Sequence, residues 1–228
     1  MKKHSKICLV IPSLHAGGME RVMCELADYF NTFPGIRVYM VILGKTDKFY
    51  EVPREIELIE PKFTFNNKFR FIYTIKTILF LRNTLKNINS DVVLSFGEMY
   101  NSFVLLSTLL LKQRVFVSDR SKPDKQWGMF HETLRRLLYH QAAGIICQTN
   151  YARDFMIAET RHPNIRIIPN PVKTLYQNHI ARENIILNVG RLIRTKQIDV
   201  LIDCFSKIED HGWQLWLVGD GPEREHLR

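Results

Sequence analysis

Six short apolar runs punctuate the chain before Pro169, at 7–11, 38–43, 92–96, 115–118, 145–147 and 165–168. Their hydrophobicity is continuous rather than alternating, which marks strands covered on both faces and therefore a parallel sheet with helices on either side. Longer stretches with helical spacing lie between them. Residues 21–30 place Val22, Leu26, Tyr29 and Phe30 on one face and read as the first crossover helix. The pattern predicts an α/β fold, a doubly wound parallel sheet.

The pattern breaks at IPNPV, where Pro169 and Pro171 flank an asparagine and forbid a helix. It then restarts with a strand at 185–189, a turn at 190–196, a helix at 199–208, a strand at 215–218, a turn at 219–222 and the first turn of a helix from Glu223. The expected organisation is an N-terminal Rossmann-like domain over 1–172, a linker over 173–183, and the first part of a second Rossmann-like domain over 184–228. With two strands, that last part is expected to leave its sheet incompletely covered.

Composition narrows the picture a little further. Lys and Arg number 32 against 23 Asp and Glu, a net charge of +9 that favours anionic partners. Cys8, Cys24, Cys147 and Cys204 have no metal-ligand spacing, and each falls in an apolar segment where a free thiol packs as a small hydrophobe, as expected in a reducing cytosol. The apolar run near the start is too short for a signal peptide or a span, and no stretch approaches the ~18 apolar residues of a transmembrane helix. The expectation is a cytoplasmic protein, soluble or peripheral on the inner face of the membrane.

Candidate chemistry lies at the strand-to-helix turns. Gly17 and Gly18 stand between the first strand and the first helix, where glycines let a ligand approach the backbone and a helix N-terminus attracts an anion. A tight turn without a ligand explains them equally well. A dinucleotide oxidoreductase also starts this way, but it needs a G-x-G-x-x-G spacing and an acid after the second strand. Here the glycines are adjacent and the second strand ends Leu43-Gly44-Lys45, with no carboxylate before Asp47.

In the second unit, NVGRLIRTKQID sets Arg191 just after a strand and Lys196 five residues on, two cations at one sheet edge and suited to a diphosphate. A solvated basic turn is the plain alternative. The next strand ends LVGDGPERE, with Gly219 and Gly221 on either side of Asp220.

The segments GGMERV, IPNPV, GRLIRTKQID and LVGDGPERE, in this order and spacing, resemble glycosyltransferase family 4, and the resemblance spans essentially the whole chain. It implies a GT-B fold and a retaining enzyme that moves a sugar from a nucleotide diphosphate, by family habit UDP, to a glycan or polyprenyl-diphosphate-linked acceptor in bacterial cell-surface polysaccharide biosynthesis. It implies no metal and no cofactor, the nucleotide sugar being a co-substrate, and no nucleic acid. By position, Arg191 and Lys196 match the pair that binds the donor diphosphate, and Gly17 and Gly18 the loop that closes on it from the N-terminal domain. Gly219 and Gly221 match a turn of partly structural role.

The segment VSDRSKP is similar to an S-[DE]-R-x-x-P motif of a bacterial subgroup, which places Arg120 near the cleft; an Arg120–Asp119 ion pair within a loop is the alternative. His15, beside the glycine loop, is a candidate donor or acceptor contact, or simply an exposed side chain. The family's later E-x7-E carboxylates fall beyond Arg228, so the resemblance implies that the catalytic carboxylates are not among these residues and that this chain alone is inactive. A truncated, non-catalytic nucleotide- or acceptor-binding protein is the second reading.

One further stretch bears on the acceptor. Residues 61–90 contain no Asp or Glu, while Lys62, Lys68, Arg70, Lys76, Arg82 and Lys86 interleave with Phe and Ile residues. Such a stretch suits an anionic membrane surface; it equally suits a core helix with a basic outer edge.

Overall fold

The computed structural model describes residues 5–45, 47–172, 183–208 and 212–227. It divides into two compact units, residues 1–173 and 174–228. The segment 173–183, expected to be a linker, lies outside the described residues except for Glu183.

The first unit is built on a seven-stranded sheet in the order β3-β2-β1-β4-β5-β6-β7. Its strands are β1 (Ser5–Ile11), β2 (Ile36–Ile42), β3 (Glu57–Ile59), β4 (Val92–Phe96), β5 (Arg114–Ser118), β6 (Gly144–Cys147) and β7 (Ile165–Ile167). All neighbouring pairs are parallel; Ile7 of β1 lies opposite Val38 of β2 on one side and Val92 of β4 on the other. The short edge strand β3 was not among the expected strands. Glutamates at 57 and 60 bracket its two apolar residues, so it lacks the apolar run that betrays a central strand.

Two cores, one on each face, explain the continuous hydrophobicity. On one face Leu9, Ile11, Met40, Ile42, Leu94 and Phe96 pack with Val22, Met23 and Ala27 of helix α1 (Gly18–Asn31). On the other, Cys8, Val10, Val41, Val93, Val115, Val117 and Ile145 pack with four helices: α2 (Arg70–Ile88), α3 (Glu98–Ser107), α4 (Met129–Leu138) and α5 (Asn150–Thr160). Each such side chain taken fully from water stabilises the fold by roughly 1.5–3 kcal/mol. The α2 helix contributes Leu81, Leu85 and Ile88, spaced to face the sheet, and ends where Asn89 turns left-handed. Helices α4 and α5 are tied by Glu159, which pairs with the buried Arg135 at 3.4 Å and with Arg136 at 2.9 Å.

The second unit consists of β8 (Ile185–Val189), a 3-10 turn at Arg194–Lys196, helix α6 (Ile198–Ser206) and β9 (Gln214–Val218), with β8 and β9 parallel. Leu187, Val189, Trp216 and Val218 are exposed, so one face of this small sheet is uncovered among the described residues. The helical turn expected from Glu223 appears as one α-type bond, the Leu227 N–H to the Glu223 carbonyl at 3.0 Å.

Of the four cysteines, Cys8, Cys24 and Cys147 are buried, whereas Cys204 on α6 is exposed, which corrects the expectation that all four are packed. The outer face of α6 carries it because only the side turned to the two strands is covered. Burial pushes the Cys24 and Cys147 thiols up to about 11 and the Cys8 thiol higher still. Among the described residues no helix is long and apolar enough to cross a membrane.

Candidate functional site

In the first unit the strand order reverses between β1 and β4, and ligands of such sheets bind outside the carboxyl ends of the strands at that reversal. The loop after β1 flanks this crevice on one side. Gly17 is the N-cap of α1 in extended conformation and Gly18 is the first helical residue. The Tyr50 hydroxyl donates to the Gly17 carbonyl at 3.0 Å, fixing the loop from the β2–β3 connection. Glu20, in the third helical position, folds back so that its carboxylate fills the space a Gly17 side chain would need, and it accepts the Ser13 hydroxyl at 3.5 Å. It therefore sits where an anion at this helix start would sit, and must swing aside for one to bind. Gly18 faces open space, and His15 is exposed.

The loop after β4 flanks the other side, with Gly97 facing Pro12 of the β1 loop and Met19 of α1. Glu98, the first residue of α3, accepts the backbone N–H groups of both Arg120 and Ser121. That clamp fixes the loop leaving β5. The Arg120 guanidinium lies flat over the Phe96 ring, 3.6 Å from its centroid, and donates to Asn170 Oδ1 at 2.6 Å. Asn170 also accepts from Gln148 at 2.7 Å. Arg120, carried after β5, thus meets Phe96 at the end of β4 and Asn170 after β7, and Gln148 after β6 holds Asn170 in turn. Burial lowers the Arg120 pKa to about 10, against the opposing pull of the Glu98 charge.

Asp119 does not pair with Arg120. It turns inward, accepting the Tyr139 hydroxyl at 2.7 Å and the Asn101 amide at 2.8 Å, and Asn101 in turn accepts the Ser95 hydroxyl at 2.7 Å. Asp119 Oδ2 is enclosed and has no hydrogen-bond partner, as is the Nε of Arg120. Burial, reinforced by the Glu98 charge, raises the Asp119 carboxyl to about 6 despite those two hydrogen bonds. The ion-pair alternative is thereby removed: Arg120 is an oriented cation that stacks on Phe96, donates to Asn170 and has Glu98 as its nearby opposite charge.

Glu98, Asn101, Tyr139 and Asn170 were not anticipated. Glu98 follows a glycine at the end of a strand, in SFGEMYN, the same signature that singled out the other turns. Asn170 lies within IPNPV, between the two prolines.

In the second unit Arg191 and Lys196 both lie on the turn after β8 and both are exposed. Neither side chain has an ion-pair or hydrogen-bond partner among the described residues. Lys196 ends the 3-10 turn, its N–H donating to the Ile193 carbonyl at 2.8 Å, and Gln197, left-handed, leads into α6. This turn is zipped to the turn after β9: the Gly190 N–H donates to Val218 at 3.0 Å, Leu192 to Asp220 at 2.9 Å, and Glu223 to Leu192 at 3.1 Å. A side chain on Gly219 would collide with the Gly190 carbonyl, and one on Gly221 with that of Leu192. The two glycines are therefore required for this close backbone packing, which holds the cation-bearing turn in shape. A pocket of about 380 Å³ beside α6, lined by Ile193, Arg194, Ile198, Asp199, Glu223, His226 and Leu227, includes neither Arg191 nor Lys196.

Comparison with known proteins gives this geometry its context. The model of the family described as Glycosyltransferase Family 4 matches residues 16–174, and that of Glycosyl transferases group 1 matches residues 176–228. A curated relative, the amylovoran biosynthesis glycosyltransferase AmsD of Erwinia amylovora, is 23% identical over 97% of this chain and 64% of its own length. A second, from Campylobacter jejuni, is the alpha-1,4-N-acetyl-D-galactosaminyltransferase acting on GalNAc-alpha-(1->4)-GalNAc-alpha-(1->3)-diNAcBac-PP-undecaprenol; it is 23% identical over 97% of this chain and 63% of its own. The chain thus spans just under two thirds of the length of these relatives. Among solved structures, Anabaena HepE in complex with UDP and glucose superposes with a TM-score of 0.67 at 14% identity, over 98% of this chain and 64% of HepE. With the fold of GT-B glycosyltransferases and a family match over most of its length, the chain belongs to glycosyltransferase family 4.

Proposed function

We propose that the protein takes part in the transfer of a sugar from a nucleotide diphosphate sugar, UDP-linked, to a glycan or polyprenyl-diphosphate-linked acceptor in bacterial surface polysaccharide synthesis. The observation that carries this reading is the pair Arg191 and Lys196: two exposed cations, unpartnered among the described residues, on one strand-to-helix turn held in shape by the glycines of the next turn. Such a pair suits the two phosphates of a leaving nucleotide, Arg through parallel hydrogen bonds and Lys as a point charge, and opposes the charge that develops as the sugar–oxygen bond breaks. The functions of AmsD and the Campylobacter transferase, and the UDP bound by HepE, support the same chemistry.

The transfer is taken to retain anomeric configuration and to need no metal, the two cations serving the diphosphate instead. On the acceptor side, Arg120 is the charged group oriented at the C-terminal edge of the first unit's sheet, and a phosphate-bearing acceptor suits it. The site of action is the cytoplasmic face of the inner membrane, where lipid-linked acceptors present their head groups.

The test is titration of the chain with UDP by calorimetry, followed by incubation with a panel of nucleotide sugars and lipid-linked acceptors. UDP binding that Arg191→Ala weakens supports the donor site. Acceptor extension with release of UDP supports transfer, and binding without any extension favours the non-catalytic reading. Absence of UDP binding overturns the donor site outright.

A further inference from the structure

The α2 helix resolves into two halves that differ on the same outer face. Residues at positions 72, 75, 76, 79, 83, 86 and 87 follow helical spacing and are all exposed. Toward the C-terminal end this stripe is Asn83, Lys86 and Asn87, as expected of a helix that packs on a sheet. Toward the N-terminal end it is Ile72, Ile75 and Leu79, with Phe71 beside it 78% exposed and Phe69 and Phe65 just before it also exposed. The buried face is already supplied by Leu81, Leu85 and Ile88, so these outer residues are not needed for the core.

A second exposed apolar cluster opens α4. After Gly128, Met129 and Phe130 are 85% and 64% exposed, next to Trp127, over whose ring Lys125 lies at 3.9 Å. The two clusters belong to one side of the unit. Helix α3 packs against both α2 and α4. His131 of α4 stands edge-on to Phe103 of α3 at 5.9 Å and feels the charge of Arg70 at the start of α2, which together with burial lowers its pKa.

Cations rim these clusters. Lys62, Lys68, Arg70 and Lys76 have no ion-pair partner among the described residues, and no acid occurs in 61–90. Lys68 and Lys76 instead lie by the rings of Phe69 and Tyr73, at 5.9 and 4.8 Å. At the α4 cluster, Lys122 is neutralised by Asp124 and Glu132 is half-buried, which leaves Lys125 as its free cation. Exposed Phe, Ile, Leu and Met ringed by uncompensated Lys and Arg is the composition of a surface that sinks its apolar tips below lipid head groups while its cations meet the phosphates.

We propose that the N-terminal half of α2 and the first turn of α4 form one docking surface for an anionic lipid bilayer, with Phe71, Ile75, Met129 and Phe130 as the inserting side chains. It deepens the reading of the first unit as the acceptor side and rests on it for its purpose; lipid binding itself is measurable without any sugar transfer. A bilayer is chosen over a protein partner because the cations are concentrated along α2 and the segment before it, where 61–90 contain no acid, while the α4 cluster adds apolar side chains and Lys125.

The experiment is co-flotation of the chain with vesicles of phosphatidylcholine alone and with added phosphatidylglycerol, at low salt and at about 0.5 M salt, where screening shortens the reach of charge to a few ångströms. Binding to the anionic vesicles is expected to exceed that to neutral ones by at least about tenfold at low salt, because several cations contribute at once. Lys68→Ser combined with Lys76→Ser should remove most of that preference. Phe71→Ser with Ile75→Ser, and separately Met129→Ser with Phe130→Ser, should each weaken binding while melting as the wild type does, since all four side chains are exposed. Equal binding to both vesicle types overturns the proposal. So does wild-type binding by the Met129/Phe130 variant, which would leave α4 outside the surface. A monomer–dimer equilibrium that these variants abolish, with no vesicle binding, would assign the surface to a second copy instead. Vesicle binding in a chain that fails every UDP-binding assay leaves the surface standing and removes the donor-site reading.

Discussion

The Tyr139 hydroxyl donates to the Asp119 carboxylate across 2.7 Å, inside the first unit and beneath the loop that carries Arg120. That bond stabilises the charged carboxylate, yet burial and the Glu98 charge outweigh it and leave the group with a pKa of about 6. The folded protein therefore holds this proton more tightly than the unfolded chain, whose aspartates titrate near about 4. The contribution is fully present below about pH 4 and is lost as pH rises through about 6, on the order of 3 kcal/mol in all. Denaturant midpoints measured from about pH 4 to 8 should show this component as a fall in stability, and in Asp119→Asn that component should vanish. An unchanged pH profile in the variant would show that Asp119 titrates normally.

Glycines 18 and 219 should respond oppositely to alanine. Gly219 has φ +152° and no room for a side chain against Gly190, so Gly219→Ala should cost the second unit at least about 2 kcal/mol, from overpacking and backbone strain together. Faster hydrogen exchange of the β8 and β9 amides is the readout. Gly18 begins a helix with open space around it, so Gly18→Ala should leave stability unchanged or raise it by up to about 1 kcal/mol. If Gly18→Ala nonetheless weakens UDP binding, the loss is one of ligand approach and not of fold.

Arg191→Ala and Lys196→Ala should each weaken UDP binding by about 10- to 100-fold, the loss of one charge-assisted hydrogen-bonded contact of ~1.5–3 kcal/mol. Both side chains are exposed, so thermal melting should not move. Calorimetric affinities equal to the wild type in both variants would end the assignment of this turn to the diphosphate.

Glu98→Gln keeps one oxygen for the N–H groups of Arg120 and Ser121 but removes the charge; Glu98→Ala removes both. The alanine variant should release the loop, seen as faster exchange of the Arg120 and Ser121 amides, while the glutamine variant should largely retain their protection. Because Glu98 also raises Asp119, both variants should shift the pH-dependent fall in stability to lower pH. Equal protection in wild type and Glu98→Ala would show that the clamp does not hold the loop.

The strands of this fold were legible because burial on both faces leaves uninterrupted apolar runs, from Ile7 to Ile11 as much as from Val92 to Phe96. The β3 strand escaped notice because an edge strand of three residues ends in charge. The core-helix reading of 61–90 holds for its second half, which packs on the core through Leu81, Leu85 and Ile88, whereas its first half leaves Phe71 and Ile75 in solvent. The turn residues were legible as types, since glycine and a cation after a strand form a short pattern. What each of them touches was not. Whether Arg120 meets Asp119 or Phe96 depends on Glu98, Tyr139 and Asn170, which lie 22, 19 and 50 positions away from Arg120 and are brought together only by the sheet.

The register of β1 has a kinetic side. As a central strand it is completed on one side by β2, which follows closely, and on the other by β4, whose Val92 meets Ile7 only after α1, two further strands and all of α2 have been made. Closing so long a loop between parallel strands is slow, and a nascent chain emerging from the ribosome keeps one edge of β1 unpaired until β4 follows it out. In that interval Leu9 and Val10 lie on an open strand edge that favours pairing with other chains, a hazard that ends only once β4 has been made through Phe96.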